Sequence, residues 1–262
     1  MADNRAVAFL DILGFKELIS SKPLDEVVEK YELMLGATQA MNKPFQYTKN
    51  VPSLFPDHPE NEQWCKRYIF SDSIILIANG DDEISFFKLI VYARKLFITL
   101  ISMKLPARGA ISYGELYENP ANNLVIGKSL TDAYLLEQSQ DWIGVAISDE
   151  AEARYEELLS QFTGVLGEIF LRYPVPFKNG TTRYLYTLNW RFNLIVEKGT
   201  RSLFGDAENQ GVKRKINNTL NYARSIVESG RIYIENQEHL PVELRSFFVG
   251  DKEPPFPHGD EL

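Results

Sequence analysis

The sequence predicts an α+β sandwich, a mixed sheet with helices covering it. Two observations carry this. Short apolar, β-rich runs alternate with stretches whose apolar residues recur at helical spacing, in the order strand, helix, helix, hairpin, helix, strand, helix, strand, helix, hairpin. At 262 residues, 44% hydrophobic and 24% charged, the chain suits one large domain, or one domain with an appendage. A chain of this length buries roughly three quarters of its unfolded surface, so a sizeable core is expected.

The first run, RAVAFLDIL over 5–13, is nearly continuous in apolar residues, as in a strand buried on both faces. Gly14-Phe15 then turns the chain. Residues 24–41 place Val27, Val28, Tyr31, Met34 and Leu35 at helical spacing. Residues 42–64, rich in Pro, Asn and charge, read as a long irregular insertion, a kind of segment that is often functional. RYIF-SDS-IILIA reads as a hairpin whose runs, 68–70 and 74–78, flank a tight polar turn without the Asn-Gly signature. An amphipathic helix is expected over 84–103 and a strand, RGAISYG, over 107–113 after Pro106. Residues 127–139 read as a helix with Leu130, Ala133, Tyr134 and Leu136 on adjacent faces. WIGVAIS reads as a strand, DEAEARYEELLSQF as a helix with acidic residues in its first turn, and FKNGTTRYLYTLNW as a hairpin ending in a strand. After Trp190 the pattern changes to a polar helix over 205–229 and a frayed tail, DKEPPFPHGDEL. The expected organisation is one domain over 1–190 and a partly helical extension over 191–262.

Lys plus Arg number 28 against 36 Asp plus Glu, a net charge of −8. That balance disfavours general nucleic-acid or anionic-membrane binding, while leaving room for a basic pocket. The single cysteine, Cys65, excludes an internal disulfide and a Cys-rich zinc site. His58, His239 and His258 lie too far apart in sequence for a metal-ligand pair spacing. No apolar run approaches the ~20 residues of a membrane span. The longest, FFKLIVYARKLFITLI, is broken by Lys88, Arg94 and Lys95. The N-terminus lacks signal-peptide anatomy, and the terminal GDEL, similar to a retrieval signal, reads as an acidic tail. The expectation is a cytoplasmic protein.

Two carboxylates stand out. Asp11 ends a strand that should be buried, where an ionised carboxylate is costly unless paired or metal-bound. The Ile12-Leu13-Gly14-Phe15 turn after it offers consecutive backbone N–H groups ahead of a helix, an arrangement able to cradle phosphate. Asp11 also reads as a helix cap, and Asp72, at the hairpin tip, as an ordinary turn residue. Together, at the ends of neighbouring strands, they would suit Mg²⁺ with a polyphosphate.

AFLDILGF, the FSDS hairpin, RGAISYG, VIGKSLTDAYLLE and the late VPFKNG…YLYTLNW resemble, in order and spacing over about residues 5–190, the motifs of class III nucleotidyl cyclase catalytic domains. Their wording is most similar to the pyrimidine cyclases of the bacterial Pycsar anti-phage system. The resemblance implies a class III cyclase-like α+β sandwich: a central, mostly antiparallel sheet with flanking helices, a ferredoxin-like core, and a helical C-terminal extension. It implies a cyclase converting UTP, or less readily CTP, to a 3′,5′-cyclic monophosphate, a messenger that activates an effector. It implies two divalent ions, Mn²⁺ or Mg²⁺, held by Asp11, Asp72 and the carbonyl of Ile12. Gly14 and Phe15 match the triphosphate turn, and Lys178 the lysine on the terminal phosphates. Arg108 matches a basic strand position that neutralises phosphate charge or forms a surface pair. It further implies a homodimer with composite sites.

The departures concern specificity and catalysis. The family's purine-reading lysine and its carboxylate partner fall on Tyr68 and Leu124. An aromatic ring and an aliphatic side chain there would suit a smaller, pyrimidine base, although Tyr68 also reads as strand core. The family's Asn falls on Thr131 and its transition-state Arg on Leu135. Arg108 or Lys128 is available to substitute, and Lys128 also reads as a solvated helix residue. Tyr134 and Glu137 read as helix packing and a surface charge. Two other readings stay open: a degenerate cyclase-fold nucleotide sensor, motivated by Thr131 and Leu135, and an interaction scaffold using 42–64 and 191–262.

Overall fold

The computed structural model describes residues 2–39, 63–164, 169–190 and 209–235. Most of the 42–64 insertion, and the terminal tail, lie outside the described residues. Strand β1 (Asp3–Ile12) lies in the interior of an eight-stranded sheet. It pairs antiparallel with β3 (Ser73–Ala78) on one side and β4 (Ala107–Asn119) on the other. The reading of β1 as buried on both faces holds: Ala6, Ala8, Leu10 and Ile12 fill one face, Val7 and Phe9 the other. Beyond β3 lies β2 (Cys65–Phe70). Among the described residues two helices, α1 (Phe15–Ser21) and α2 (Leu24–Gln39), lie between β1 and β2, and α3 (Glu83–Ser102) joins β3 to β4. The spatial order β4-β1-β3-β2 with this β-α-β-β-α-β connectivity is the ferredoxin-like arrangement.

A helix packs on each face of β1, α3 on the even-numbered one. α3 buries Phe86, Leu89, Ile90, Ala93, Phe97 and Leu100 there, and its N-terminus is capped by Asp82, whose carboxylate accepts from Ser85 N at 2.9 Å. On the other face α4 (Lys128–Ser139) crosses β1 and β4, with Tyr134 packed edge-to-face on Phe9 at 5.4 Å. Gly127 makes this close approach possible: a Cβ there would lie 2.3 Å from Glu115 O and 2.7 Å from Leu116 Cα. α4 is followed by β6 (Val145–Ile147), which pairs parallel to β4. β7 (Phe170–Pro176) and β8 (Thr182–Leu188) complete the sheet in the order β6-β8-β7. Among the described residues no helix is long and apolar enough to cross a membrane.

Three elements differ from the sequence reading, and the hairpin turn, as expected, forms without Asn-Gly. The strand expected over 107–113 continues to Asn119 and folds back with β5 (Leu124–Gly127) as a two-stranded arm. The helix expected after Ser148 breaks at Tyr155 into α5 (Asp149–Arg154) and α6 (Glu156–Gly164). The reason is packing: Tyr155 is fully buried, its ring stacked on Phe86 at 3.8 Å. In the hairpin turn Ser71 takes φ +56°, the left-handed conformation that Asn-Gly usually supplies. Finally, the helix after residue 205 runs as α7 (Gln210–Glu235) and packs on the sheet. Tyr222, fully buried, meets Trp142 and Tyr173 edge-on at 4.6 and 4.8 Å.

Candidate active site

The site is built at the C-terminal end of β1. Asp11 sits in register with Ser73 on one side and Arg108 on the other. Ile12 N donates to Asp72 O at 2.9 Å, which fixes the hairpin tip against the strand end. Leu13 N donates to Pro106 O at 2.7 Å. The chain then turns at Gly14, whose φ of 74° places it in the left-handed region, and Phe15 opens α1. No atom lies within 4 Å of a Cβ built on Gly14, so conformation rather than space requires glycine here. Phe15 packs edge-to-face on Tyr31 at 5.9 Å, and Tyr31 Oη donates to Ser71 O at 3.0 Å. The turn, the hairpin tip and α2 are thus one rigid unit.

Neither the Asp11 nor the Asp72 carboxylate has a hydrogen bond or ion pair among the described residues. Asp11 is pushed up to about 6, first by burial and then by Glu137 and Asp72, with Arg108 and Lys178 opposing. A carboxylate raised in this way destabilises the native state once ionised. Stability is favoured by its proton from the ordinary carboxylate range up to pH about 6 and lost as pH rises through that value. Asp11→Asn is therefore expected to raise the melting temperature of the metal-free protein at pH 7.5, with the gain shrinking at pH 5. Thermal melts in a chelator at both pH values check this; a destabilised variant at pH 7.5 would show that burial does not strain Asp11.

Arg108 is not solvent-facing. It is 5% exposed and its Nε donates to Glu137 Oε1 at 2.6 Å, while Nη2 lies 2.5 Å from the same oxygen. Nη1 donates to Gln140 O at 2.8 Å. Glu137 is 1% exposed, so it is a buried partner and not the surface charge its sequence position suggested. Burial pushes its carboxyl up, against the pull of Arg108. A signal for it existed: Glu137 lies one helical turn beyond Ala133, itself fully buried.

Lys178 lies in the β7–β8 turn, and its backbone N donates to Ser139 O at 2.9 Å. Its charge reaches Asp11, and burial with Arg108 and Lys215 pushes its ammonium down. Lys215, from α7, was not singled out in the sequence. The structure thus gathers Asp11, Ile12, Gly14, Phe15, Asp72, Arg108 and Lys178 at one end of the sheet.

Tyr68 stands level with Phe9 across β3, two residues along from the Asp11 position, whereas Leu124 lies in a different region. Tyr68 is packed beside Val7, Ile77 and Leu116, and its Oη donates to Glu118 Oε1 at 2.5 Å. Burial first, then that bond, pushes its hydroxyl up to about 12. Glu118, from the β4–β5 arm, also pairs with Lys66; the sequence reading missed both. Leu124 is 40% exposed on β5 and pairs with Asn119, at the far end of β4 from Arg108. On α4, Thr131 Oγ1 donates back to Gly127 O at 3.1 Å, Lys128 pairs with Asp132, and Leu135 is 56% exposed. A polar cavity of about 350 Å³ lies beside Leu135, with Ser148 and Arg183 among its walls; neither Asp11 nor Asp72 lines it.

Among the described residues no cluster of three or more His, Cys, Asp or Glu forms a metal-binding group. Asp11 and Asp72 are a hard-oxygen pair without hydrogen-bond partners among the described residues, and burial, Glu137 and Asp72 raise Asp11 despite the charges of Arg108 and Lys178. Such a pair fits Mg²⁺ or Mn²⁺, which take one or two carboxylates and complete their shell with phosphate and water oxygens.

No protein-family model and no curated protein matches the chain. Among solved structures it is similar to the catalytic core of a rhodopsin-guanylyl cyclase with converted specificity in complex with ATPalphaS, at 11% identity and TM-score 0.44, over 72% of this chain and 98% of that one. It is similar to the adenylyl cyclase CyaB from P. aeruginosa at 14% identity and TM-score 0.38, over 72% and 95%. The adenylate/guanylate cyclase/hydrolase from Silicibacter pomeroyi gives 12% identity and TM-score 0.41, over 73% and 99%. Likeness of this degree fixes neither substrate nor chemistry.

Proposed function

We propose that this chain is a nucleotidyl cyclase that converts a pyrimidine nucleoside triphosphate, UTP ahead of CTP, to its 3′,5′-cyclic monophosphate and pyrophosphate. The observation that carries the reading is the pair of unpartnered carboxylates, Asp11 and Asp72, at the end of a buried strand within reach of the Lys178 charge. A site with two carboxylates and nearby cations suits a cation-bound polyphosphate.

In this mechanism Asp11, Asp72 and the carbonyl of Ile12 would hold two divalent ions, Mg²⁺ or Mn²⁺. When bound, these ions supply Lewis acidity and neutralise charge on the triphosphate. The Gly14–Phe15 turn and Lys178 orient the phosphates. Arg108 contributes positive charge from its buried pair with Glu137 and keeps the 137–140 segment in place. The ribose 3′-oxygen bonds to the α-phosphorus, its proton passes to solvent water, and the bond from that phosphorus to the pyrophosphate oxygen breaks, releasing pyrophosphate. Tyr68 and Leu124 shape the base subsite. Because Leu124 lies on the β4–β5 arm, at the far end of β4 from Arg108, one copy supplies the metal end of a site and a second copy brings its Leu124 to the base end. An isologous homodimer meets that requirement. Phe70 (83% exposed), Ile126 (56%) and Leu135 (56%) provide apolar surface for it. The cyclic nucleotide then acts as a messenger for an effector in anti-phage defence.

The test is a product assay with Mn²⁺ and ATP, GTP, CTP or UTP, one at a time. A cyclic monophosphate from UTP or CTP alone is the expected result. One from ATP or GTP keeps the cyclase and removes the pyrimidine assignment. No product from protein shown to be folded and dimeric favours the second reading, a nucleotide sensor without turnover. One observation supports that alternative: α4 presents the aliphatic Leu135 and a Thr131 bonded to its own helix.

A further inference from the structure

The segment from Glu137 to Ile143 is a junction that ties three separate cations to one place. Arg108 reaches it through Glu137 and Gln140 O. The β7–β8 turn joins it through Asp141 N, which donates to Pro176 O at 2.9 Å, and through Lys178 N on Ser139 O. α7 joins it from the other side. Asn218 Nδ2 donates to Asp141 O at 2.7 Å, Ile143 N donates to Thr219 Oγ1 at 2.9 Å, and Arg214 pairs with the Asp141 carboxylate. Lys215 lies on the same helical face, three residues before Asn218 and four before Thr219, whose hydroxyl donates to Lys215 O.

Lys215 and Lys178 have no hydrogen bond or ion pair at their ammonium groups among the described residues. Each bears the repulsion of the other or of Arg108, and burial pushes both ammonium groups down. The compensating carboxylates, Glu137 and Asp141, are already engaged with Arg108 and Arg214. Two uncommitted ammonium groups, beside a guanidinium already paired with Glu137, lack an anion of their own. A chain of phosphates supplies one, with several charged oxygens able to accept from ammonium groups.

We propose that Lys215, brought in by α7, forms with Lys178 the subsite that binds the terminal phosphates of a nucleoside triphosphate. The assignment rests on the reading of the site as a triphosphate site and adds α7 to it. It makes the C-terminal helix part of the substrate-binding machinery. Because the helix is anchored through Asp141 and Ile143, Lys215 is presented on a rigid element.

The probe is inorganic tripolyphosphate with excess Mg²⁺, titrated calorimetrically into the full chain, with KM for the best triphosphate measured in parallel. Loss of a charge-assisted hydrogen bond weakens binding about tenfold or more. Lys215→Gln is expected to weaken tripolyphosphate binding by that factor and to raise KM with kcat little changed. Lys215→Arg should restore most of the affinity, and Lys213→Gln, exposed on the same helix, should leave it unchanged. Ligand-free melting temperatures near wild type keep a folding effect apart from a binding effect. Wild-type affinity in a folded Lys215→Gln protein overturns the proposal even if the chain cyclises nucleotides. Failure of the wild type to bind tripolyphosphate overturns it as well. Tripolyphosphate binding that depends on Lys215, without turnover of any triphosphate, upholds the subsite and defeats only the cyclase reading.

Discussion

Replacing Asp11 or Asp72 by Ala is expected to lower metal-dependent cyclic-nucleotide formation by at least roughly a thousandfold, the several kcal/mol that such ions contribute to a developing phosphoryl charge. Nothing else among the described residues offers a replacement. Asp11 and Asp72 stand without hydrogen-bond partners, and the nearest other carboxylate acting on Asp11, Glu137, is held by Arg108. Both variants should remain folded, because each loses a carboxylate that no donor or cation in the protein depends on. The assay is product formation with Mn²⁺, accompanied by a melting curve. A folded Asp11→Ala or Asp72→Ala protein with an unchanged rate would remove the site assignment, whatever the nucleotide.

Glu137→Ala is expected to behave in the opposite way. Arg108 is 5% exposed, and its two strongest contacts are to the Glu137 carboxylate. Removing that partner leaves a buried guanidinium with only Gln140 O, a change that costs about 3–5 kcal/mol when a buried pair is broken from one side. In a protein of this size that is a fall of roughly 10 °C in melting temperature. Replacing both members by apolar residues, Arg108→Met with Glu137→Leu, should recover much of the loss, since the desolvation of two charges disappears with them. A melting series of the single and double variants reads the coupling directly. If Glu137→Ala melts within a degree or two of wild type, the pair is not buried as described. The contrast separates two kinds of carboxylate: Glu137 is hydrogen-bonded by Arg108, whereas Asp11 feels Arg108 and Lys178 through their charge alone.

How much of this was legible in advance differs from element to element. β1 announced itself because burial on both faces demands an unbroken apolar run, and α3 because its apolar residues fall at helical period. Asp11 was legible for the same reason: a carboxylate ending such a run is costly, and cost is visible in a sequence. The continuation of β4 past Gly114 was not, because its Glu115 and Glu118 carry no core pattern; it is set by pairing with β5. Nor was the break at Tyr155, since Asp149 to Phe162 is helical in local preference and only the fully buried Tyr155 ring, stacked on Phe86, interrupts it. α7 read as a polar helix of an extension because polar residues outnumber apolar ones along it, although Ile216, Leu220, Tyr222 and Ala223 are buried. Its contacts run through Asn218, Thr219 and Tyr222, whose value depends on which groups they meet.

The sequence by itself determined the α+β class, the order of the elements in the β1–β4 unit, and the carboxylates Asp11 and Asp72 as the first candidates for chemistry. These follow from local periodicity and from the energetic cost of a charge at the end of a buried strand. Only the tertiary structure decided that Glu137 neutralises Arg108, that Tyr68 bonds Glu118 on the β4–β5 arm, and that Lys215 of α7 faces the same junction as Lys178. Each of these is a meeting between residues far apart in the chain. Charge pairing falls off with distance in space, and a sequence carries no record of that distance until the sheet and its helices have closed.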